Sequence, residues 1–194
     1  MKKYQVKKIG EIAEIQFGPY IKPTADGNIR YLLASHFDEN IVPAKADDSF
    51  IESNKKLEKF ILQPNDVILA GKGHRTFAWA YDKSIGSVIP SSLFYILRAS
   101  KDIIIGKYLA AVLNSEHLQY QLGIIGAGVT VTSIPKKELQ EIELTIPSIH
   151  EQKKFLELYD ILNRDIELTD KLLQEKRNLK RGVVNDLLTN KTKS

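Results

Sequence analysis

The last quarter of the sequence constrains the fold most, because about forty consecutive residues lack the features that end a helix. From residue 150 to residue 189 there is no proline, and Gly182 is the only glycine. Apolar residues recur there at a spacing close to 3.5 residues, with one slip near residue 170. This stripe consists of Phe155, Tyr159, Leu162, Ile166, Leu172, Leu179, Val183 and Leu187. The pattern predicts one long α-helix of about 60 Å.

Ser148 is expected to cap this helix, with Glu151 three residues later completing a capping box. A compact domain of about 150 residues cannot cover the whole stripe. The stripe therefore predicts a protein partner, and self-association as an antiparallel homodimer would satisfy two stripes with one interface. The alternative is two shorter helices that fold back as a hairpin, with a break at Asn163 or Gly182.

The preceding part of the chain has a different texture, with short apolar runs separated by Gly, Pro, Asn and Asp. One longer run, Ile105 to about Leu122, predicts a helix, and the glycine-rich stretch from Gly123 is not expected to extend it. Seven runs have the length of strands: Ile12–Phe17, Tyr31–Ala34, Val67–Ala70, Phe77–Tyr81, Ser87–Ile89, Phe94–Arg98 and Glu143–Ile146. We therefore predict an α+β domain over residues 1–148, the long helix over 149–189 and a short tail over 190–194.

Composition excludes several classes of protein. The chain has 194 residues and no cysteine, so disulfide scaffolds, zinc ribbons and thiol catalysis do not apply. It has neither a signal-peptide pattern at its start nor an apolar run of membrane-spanning length, which predicts a cytoplasmic protein without a membrane partner. The net charge is only +4, but residues 67–101 carry five basic side chains against one acidic side chain. A locally basic surface fits a polyanion such as nucleic acid.

Catalytic motifs are missing from the sequence. There is no phosphate-binding P-loop, no dinucleotide-binding glycine motif, no paired histidines for a metal and no nucleophile elbow. The Asn- or Asp-Pro-Pro-aromatic loop of an adenine methyltransferase is also missing. We therefore expect a binding module that has no cofactor, no metal and no catalytic residue of its own.

The segment from Leu69 to Thr76 is the strongest candidate for a binding loop. Its glycines would let the backbone approach a ligand closely, while Lys72 and Arg75 supply charge for phosphates. An arginine fork can also read guanine, and His74 and Thr76 could add hydrogen bonds. The alternative is a hairpin turn with solvated basic side chains.

Two other segments have similar chemistry. The turn after Phe17 ends in Lys22, and a glycine-rich stretch with hydroxyl groups contains Thr130. Trp79 alternates with Phe77 and Tyr81 at strand spacing, so it is expected to belong to the core rather than to a base-stacking platform.

Taken in order, these pieces resemble the DNA-specificity (S) subunits of type I restriction–modification enzymes. The segment from Ile142 to Lys154, which leads into the long helix, is the most specific. The resemblance covers nearly the whole chain and rests on residues 9–18, 29–35, 62–73, 89–98, 108–115, 130–139 and 142–154. A full subunit has two recognition domains alternating with two long helices, so this chain resembles a half subunit, natural or truncated.

The resemblance implies a non-catalytic target recognition domain that binds double-stranded DNA and directs partner methyltransferase and restriction subunits. S-adenosylmethionine and ATP would belong to those partners. It also implies that two copies of the long helix pack antiparallel, as the two helices of a full subunit do. The recognition loops vary with the target, so the DNA-contact roles of Lys22, Lys72, His74, Arg75, Thr76 and Thr130 rest on position and chemistry. The alternative function is a structural adaptor that docks a protein through its helix and binds no DNA.

Overall fold

The computed structural model describes residues 4–43, 49–73, 75–126 and 133–190, with side chains of the last stretch described to residue 187. The chain divides into two compact units, residues 1–152 and residues 153–194. None of the helices in the described stretches is both long and apolar enough to cross a membrane.

Short strands form three small sheets in the first unit. In chain order they are β1 (Gln5–Lys8), β2 (Ala13–Phe17), β3 (Ile29–Leu32), β4 (Phe50–Ile51), β5 (Asp66–Ala70), β6 (Ala78–Ala80), β7 (Val88–Pro90), β8 (Phe94–Ala99) and β9 (Glu143–Ile146). The largest sheet has the order β2-β8-β5-β6 and is antiparallel throughout. A second sheet, β4-β3-β7, pairs β3 with β7 in parallel, and β1 pairs with β9 alone.

Helices lie between some of these strands and at the end of the described chain. They are α1 (Ile9–Ile12), α2 (Gly106–Leu113), α3 (Glu116–Gly126), α4 (Lys136–Glu141) and α5 (Ile149–Asn190), with short 3₁₀ turns at Ala34–His36, Glu58–Phe60 and Lys83–Ile85. An α+β domain of short strands with a long helix at its end is therefore confirmed.

The central strand β5 is buried along its whole length, because both of its faces are covered. Val67 and Leu69 belong to one hydrophobic cluster, whereas Ile68 and Ala70 belong to another. The period of two in a strand sends alternate side chains to opposite faces of the sheet. The four-stranded sheet therefore separates a cluster that includes residues of α1 to α4 from a cluster rich in aromatic side chains.

Each of the seven predicted strand runs overlaps a strand, but several strand boundaries differ from the prediction and two further strands are present among the described residues. The run predicted at Tyr31–Ala34 forms a strand two residues earlier, at Ile29–Leu32. Leu33 leaves the strand because its N–H donates to Nδ1 of His36, 3.2 Å away, and closes a 3₁₀ turn. Strands β1 and β4 were not predicted; each is short and depends on a distant partner strand.

The single helix predicted from Ile105 to Leu122 is wrong, because two helices meet at Asn114 and Ser115. The side chain of Asn114 donates from Nδ2 to the carbonyl oxygen of Ala78 and accepts through Oδ1 from the Ala78 N–H, both at 2.8 Å. This side chain therefore caps the outer edge of β6. The second helix extends to Gly126, beyond the predicted end. Helical periodicity over one continuous helix would place Tyr120 on the same face as Leu109 and Leu113, but Tyr120 is exposed whereas those two leucines are buried.

The long helix is continuous, as predicted, and the hairpin alternative is wrong for the described residues. α5 runs through both Asn163 and Gly182 without a break. The predicted capping box is present: Ser148 Oγ accepts from the Glu151 N–H at 3.3 Å, and the Ser148 N–H donates to Glu151 Oε2 at 3.2 Å.

Gln152, in the first turn of α5, is completely buried within the first unit. Its amide nitrogen donates to the carbonyl oxygens of Ile103 and Pro147, at 3.0 and 2.9 Å. Its amide oxygen accepts from the N–H of Ile105 at 2.8 Å. One side chain thus satisfies three backbone groups on two segments, in surroundings where water cannot replace it.

We predict that Gln152→Ala lowers the free energy of unfolding by about 2–4 kcal/mol, because it leaves buried polar groups without partners. Urea denaturation measures this loss. Gln174→Ala is the matched control, since Gln174 is exposed and contacts Asn178 on the same helix. Equal stability of the two variants would contradict the assigned role.

Candidate nucleic-acid interface

Two of the predicted binding segments emerge at the same end of the four-stranded sheet. β2 and β5 lie on either side of β8 and are antiparallel to it, so their carboxyl ends meet near the start of β8. The N–H of Gly18 donates to Phe94 O at 3.0 Å, and the N–H of Gly71 donates to Leu93 O at 3.1 Å. We call this end the loop surface: residues 18–22, 71–73, 75–76 and 133–134.

Gly71 is required where the second loop begins, because a Cβ atom there would lie 2.5 Å from the ring of Tyr95. Gly73 adopts a φ of +110°, a region that favours glycine. The sequence predicted that these glycines let the backbone approach a ligand. At Gly71 the group that the backbone approaches is instead an aromatic ring of the core.

A stack of aromatic rings positions Lys72. Phe17 stacks on Tyr95 with ring centroids 4.0 Å apart, and Lys72 Nζ lies 4.4 Å from the centroid of the Phe17 ring. Burial raises the pKa of Tyr95 to about 12, so its hydroxyl stays protonated and donates to Ile134 O at 2.6 Å. The ammonium group is held over an aromatic face at the surface, where cation–π attraction is modest.

A third segment joins the loop surface through residues 133 and 134. The N–H of Ile134 donates to Gly71 O at 2.9 Å, and Ser133 forms an isolated bridge with Lys72. This segment follows the stretch that contains Thr130. Thr130 and His74 themselves lie outside the described residues, so their predicted roles stay predictions.

Arg75 has structural partners that the sequence did not predict. Its guanidinium donates to Asp38 O at 2.7 Å and to Glu39 O at 3.0 Å, and it lies 5.1 Å from the Phe77 ring. The 38–42 turn is also closed by the Asp38 carboxylate, which accepts from the Val42 N–H at 2.8 Å. Arg75 therefore ties this turn to the glycine loop, and contact with a guanine would have to compete with these bonds.

The loop that carries Lys22 is anchored by a buried hydroxyl. Tyr31 Oη donates to Pro19 O at 2.7 Å and accepts from the Ile21 N–H at 3.1 Å. Burial raises the pKa of Tyr31, so the hydroxyl keeps the proton that it donates. Lys22 is exposed on this fixed loop, where its ammonium group is available to an anion.

The remaining predicted residues divide between core and surface. Thr76 is half-buried beside Arg75. Trp79 is half-buried against the aromatic cluster, 5.7 Å from Phe37 in an edge-to-face contact, as the sequence predicted. Among the described residues, no group of acidic and histidine side chains has the arrangement of a metal site.

All eight residues of the apolar stripe predicted for dimerisation lie on α5 and are exposed in the single chain. They are Phe155, Tyr159, Leu162, Ile166, Leu172, Leu179, Val183 and Leu187. The sequence interpretation missed further exposed apolar residues on the same helix: Leu158, Ile161, Leu168, Leu173 and Val184. Their positions relative to the first stripe make the apolar face roughly half of the helix circumference.

One protein family matches most of this chain. The model of the Type I restriction modification DNA specificity domain matches residues 1–176 of this chain. The chain belongs to this family. A search of curated protein sequences gave no significant match.

Solved structures show the same fold in this family. The S subunit of a type I restriction–modification system from M. genitalium has a TM-score of 0.62 and 15% identity, over 91% of this chain and 43% of that chain. The HsdS subunit from Thermoanaerobacter tengcongensis has a TM-score of 0.59 and 16% identity, over 84% of this chain and 38% of that one. This chain therefore spans about two-fifths of their length, with one recognition domain and one long helix.

We predict that Gly71→Ala destabilises the specificity domain by about 1–3 kcal/mol, because the added methyl group must displace the Tyr95 ring or the strand that carries it. Thermal denaturation measures the change. Gly123→Ala is the control: it lies in α3 with open space around the added atom, and there alanine should stabilise by about 0.5–1 kcal/mol. Destabilisation of both variants to the same extent would contradict the steric explanation.

Proposed function

We propose that this chain is a sequence-specific DNA-binding specificity subunit that supplies target choice to partner methyltransferase and restriction subunits. The observation that carries the proposal is that the loop leading to Lys22, the loop of Lys72 and residues 133–134 emerge at one end of the sheet, in a chain of the DNA specificity domain family. Lysines would contact phosphates, and loop residues would read base edges. The chain itself would carry out no catalytic step.

The two halves of α5 have opposite charge, which supports antiparallel self-association. Residues 149–170 contain six acidic and three basic side chains, counting Lys and Arg, whereas residues 171–190 contain two acidic and five basic side chains. Antiparallel pairing places the acidic half of each helix beside the basic half of the other. Parallel pairing would place like charges together, which costs energy.

An antiparallel pair would bring two identical recognition domains to inverted half-sites. A full S subunit contains two different recognition domains, so the pair would imitate its organisation with a symmetric target. The second set of exposed apolar residues on α5, from Leu158 to Val184, is proposed as the surface that partner subunits cover. A two-stranded seam is narrower than the apolar face that this helix carries.

We predict that the wild-type chain binds duplex DNA with a steep salt dependence. For about four phosphate contacts, log K falls with log salt at a slope of roughly −3.6. Lys72→Gln should weaken binding and reduce the magnitude of this slope by about 0.9. Fluorescence anisotropy over a salt series measures both quantities.

Lys107→Gln is the matched control, since Lys107 is exposed at the start of α2, beside Asn65 at the opposite end of strand β5. It should leave the slope unchanged. A wild-type chain whose DNA binding does not respond to salt would overturn the DNA-binding proposal and favour the adaptor.

We predict that the chain is a dimer of about twice its 22.0 kDa mass in light scattering, and that Leu162→Asp makes it a monomer. An aspartate at position 162 would bury a charge between the two helices without a compensating partner, which costs too much free energy for the dimer to persist. Asn163→Asp adds the same charge one residue away on the polar side of the helix and should stay dimeric. A wild-type monomer at high concentration, with α5 still helical, would contradict this prediction.

The same dimer shows whether its two α5 helices run parallel or antiparallel to each other. The chain has no cysteine, so Asn185→Cys gives one labelling site per chain for energy transfer between two dyes. In an antiparallel pair centred on the helix midpoint the dyes lie about 45 Å apart, and in a parallel pair within about 20 Å. Efficient transfer would exclude the antiparallel arrangement.

A further inference from the structure

Tyr20 is a large aromatic side chain that the fold holds almost entirely in solvent. It is 90% exposed, more than any other large hydrophobic residue among those described. A single exposed apolar side chain is ordinary on a protein surface. Tyr20 differs because the backbone on both sides of it is fixed.

The loop is anchored at four points around Tyr20. The Tyr31 hydroxyl binds the residue before it, Pro19, and the residue after it, Ile21. Upstream, a Cβ atom on Gly18 would lie 2.2 Å from Pro90 O, so the loop passes directly against β7. Downstream, Thr24 exchanges backbone hydrogen bonds with Phe50, at 2.8 and 2.9 Å.

Burial alternates along this loop. Pro19, Ile21 and Pro23 are half-buried, whereas Tyr20 and Lys22 between them are exposed. The two exposed side chains therefore share the outward side, an aromatic group two residues from a cation. The same loop begins next to Phe17, on whose ring Lys72 lies.

We infer that Tyr20 is a specificity-determining residue that packs against base edges of the bound DNA, while Lys22 pairs with a flanking phosphate. This inference rests on the proposed DNA-binding function and assigns one contact within it. A tyrosine ring offers apolar area for a thymine methyl group, and its hydroxyl can donate to or accept from a base edge. Because only two side-chain torsions are fixed on binding, the entropic cost is low.

A base contact and a phosphate contact have different signatures. Removal of a base contact weakens binding to the chosen sequence only, and releases no additional counterion. Removal of a phosphate contact weakens binding to all sequences and reduces the salt slope. The two neighbouring side chains of this loop can therefore be distinguished by one set of measurements.

The experiment uses the full chain and a duplex that it selects from a random-sequence pool, with an unselected duplex as reference. Tyr20→Ala should weaken binding to the selected duplex about 5- to 150-fold, with little change on the reference duplex and an unchanged salt slope. Lys22→Ala should weaken binding to both duplexes equally and reduce the magnitude of the slope by about 0.9. Tyr20→Phe separates the contribution of the ring from that of the hydroxyl. If this variant still discriminates between the two duplexes, the ring makes the base contact; if it no longer does, the hydroxyl makes it.

Tyr120→Ala is the matched control, since Tyr120 is 74% exposed on α3 and should affect neither duplex. Thermal denaturation should show unchanged stability for Tyr20→Ala, because the side chain is in solvent. Binding by Tyr20→Ala within twofold of wild type on both duplexes would overturn the inference and leave DNA binding intact. Equal losses on both duplexes would also overturn it, by making Tyr20 a non-specific contact. A wild-type chain that binds neither duplex would overturn the proposed function itself.

Discussion

The antiparallel pairing of β5 with β8 is the interaction on which the rest of the domain depends. These two strands are the inner pair of the largest sheet, and their alternating side chains contribute to both large hydrophobic clusters. The pairing fixes which end of the sheet carries the loops after β2 and β5. A slip of one residue would exchange the two faces and bring the aromatic side chains under the helices.

The core also extends directly into the candidate interface. Tyr95 belongs to β8 and to the helix-covered cluster, yet its ring supports Phe17 and excludes a side chain at position 71. Its hydroxyl holds the segment at Ile134. Tyr31, which is also buried, holds the loop of Tyr20 and Lys22 through the hydrogen bonds of its hydroxyl group with Pro19 and Ile21. Two buried tyrosines thus position the surface that we propose for DNA, which explains how loops of irregular backbone can be fixed before a ligand arrives.

The candidate site was only partly predictable. Glycines on both sides of Lys72, and a turn that leads to Lys22, identified these two segments, because turn chemistry and charge are properties of the residues themselves. The partners of Arg75 were not predictable, because Asp38 and Glu39 are remote in sequence and offer backbone carbonyls, which have no sequence signature. Tyr20 lies within the turn that the sequence identified between Phe17 and Lys22, but its exposure on a fixed loop depends on the Tyr31 hydroxyl, which no local pattern predicts.

The sequence alone determined the long helix, its Ser148 cap, the strand-length runs and the family, because these depend on local periodicity, capping chemistry and the order of motifs. Tertiary structure decided what depends on contacts between distant residues. The break at Asn114 follows from its two bonds to Ala78, and β1 exists because β9 pairs with it. The meeting of the two glycine-containing loops follows from the antiparallel arrangement of β2, β8 and β5. No local pattern contains that information, because hydrogen bonds between strands join residues far apart in the chain.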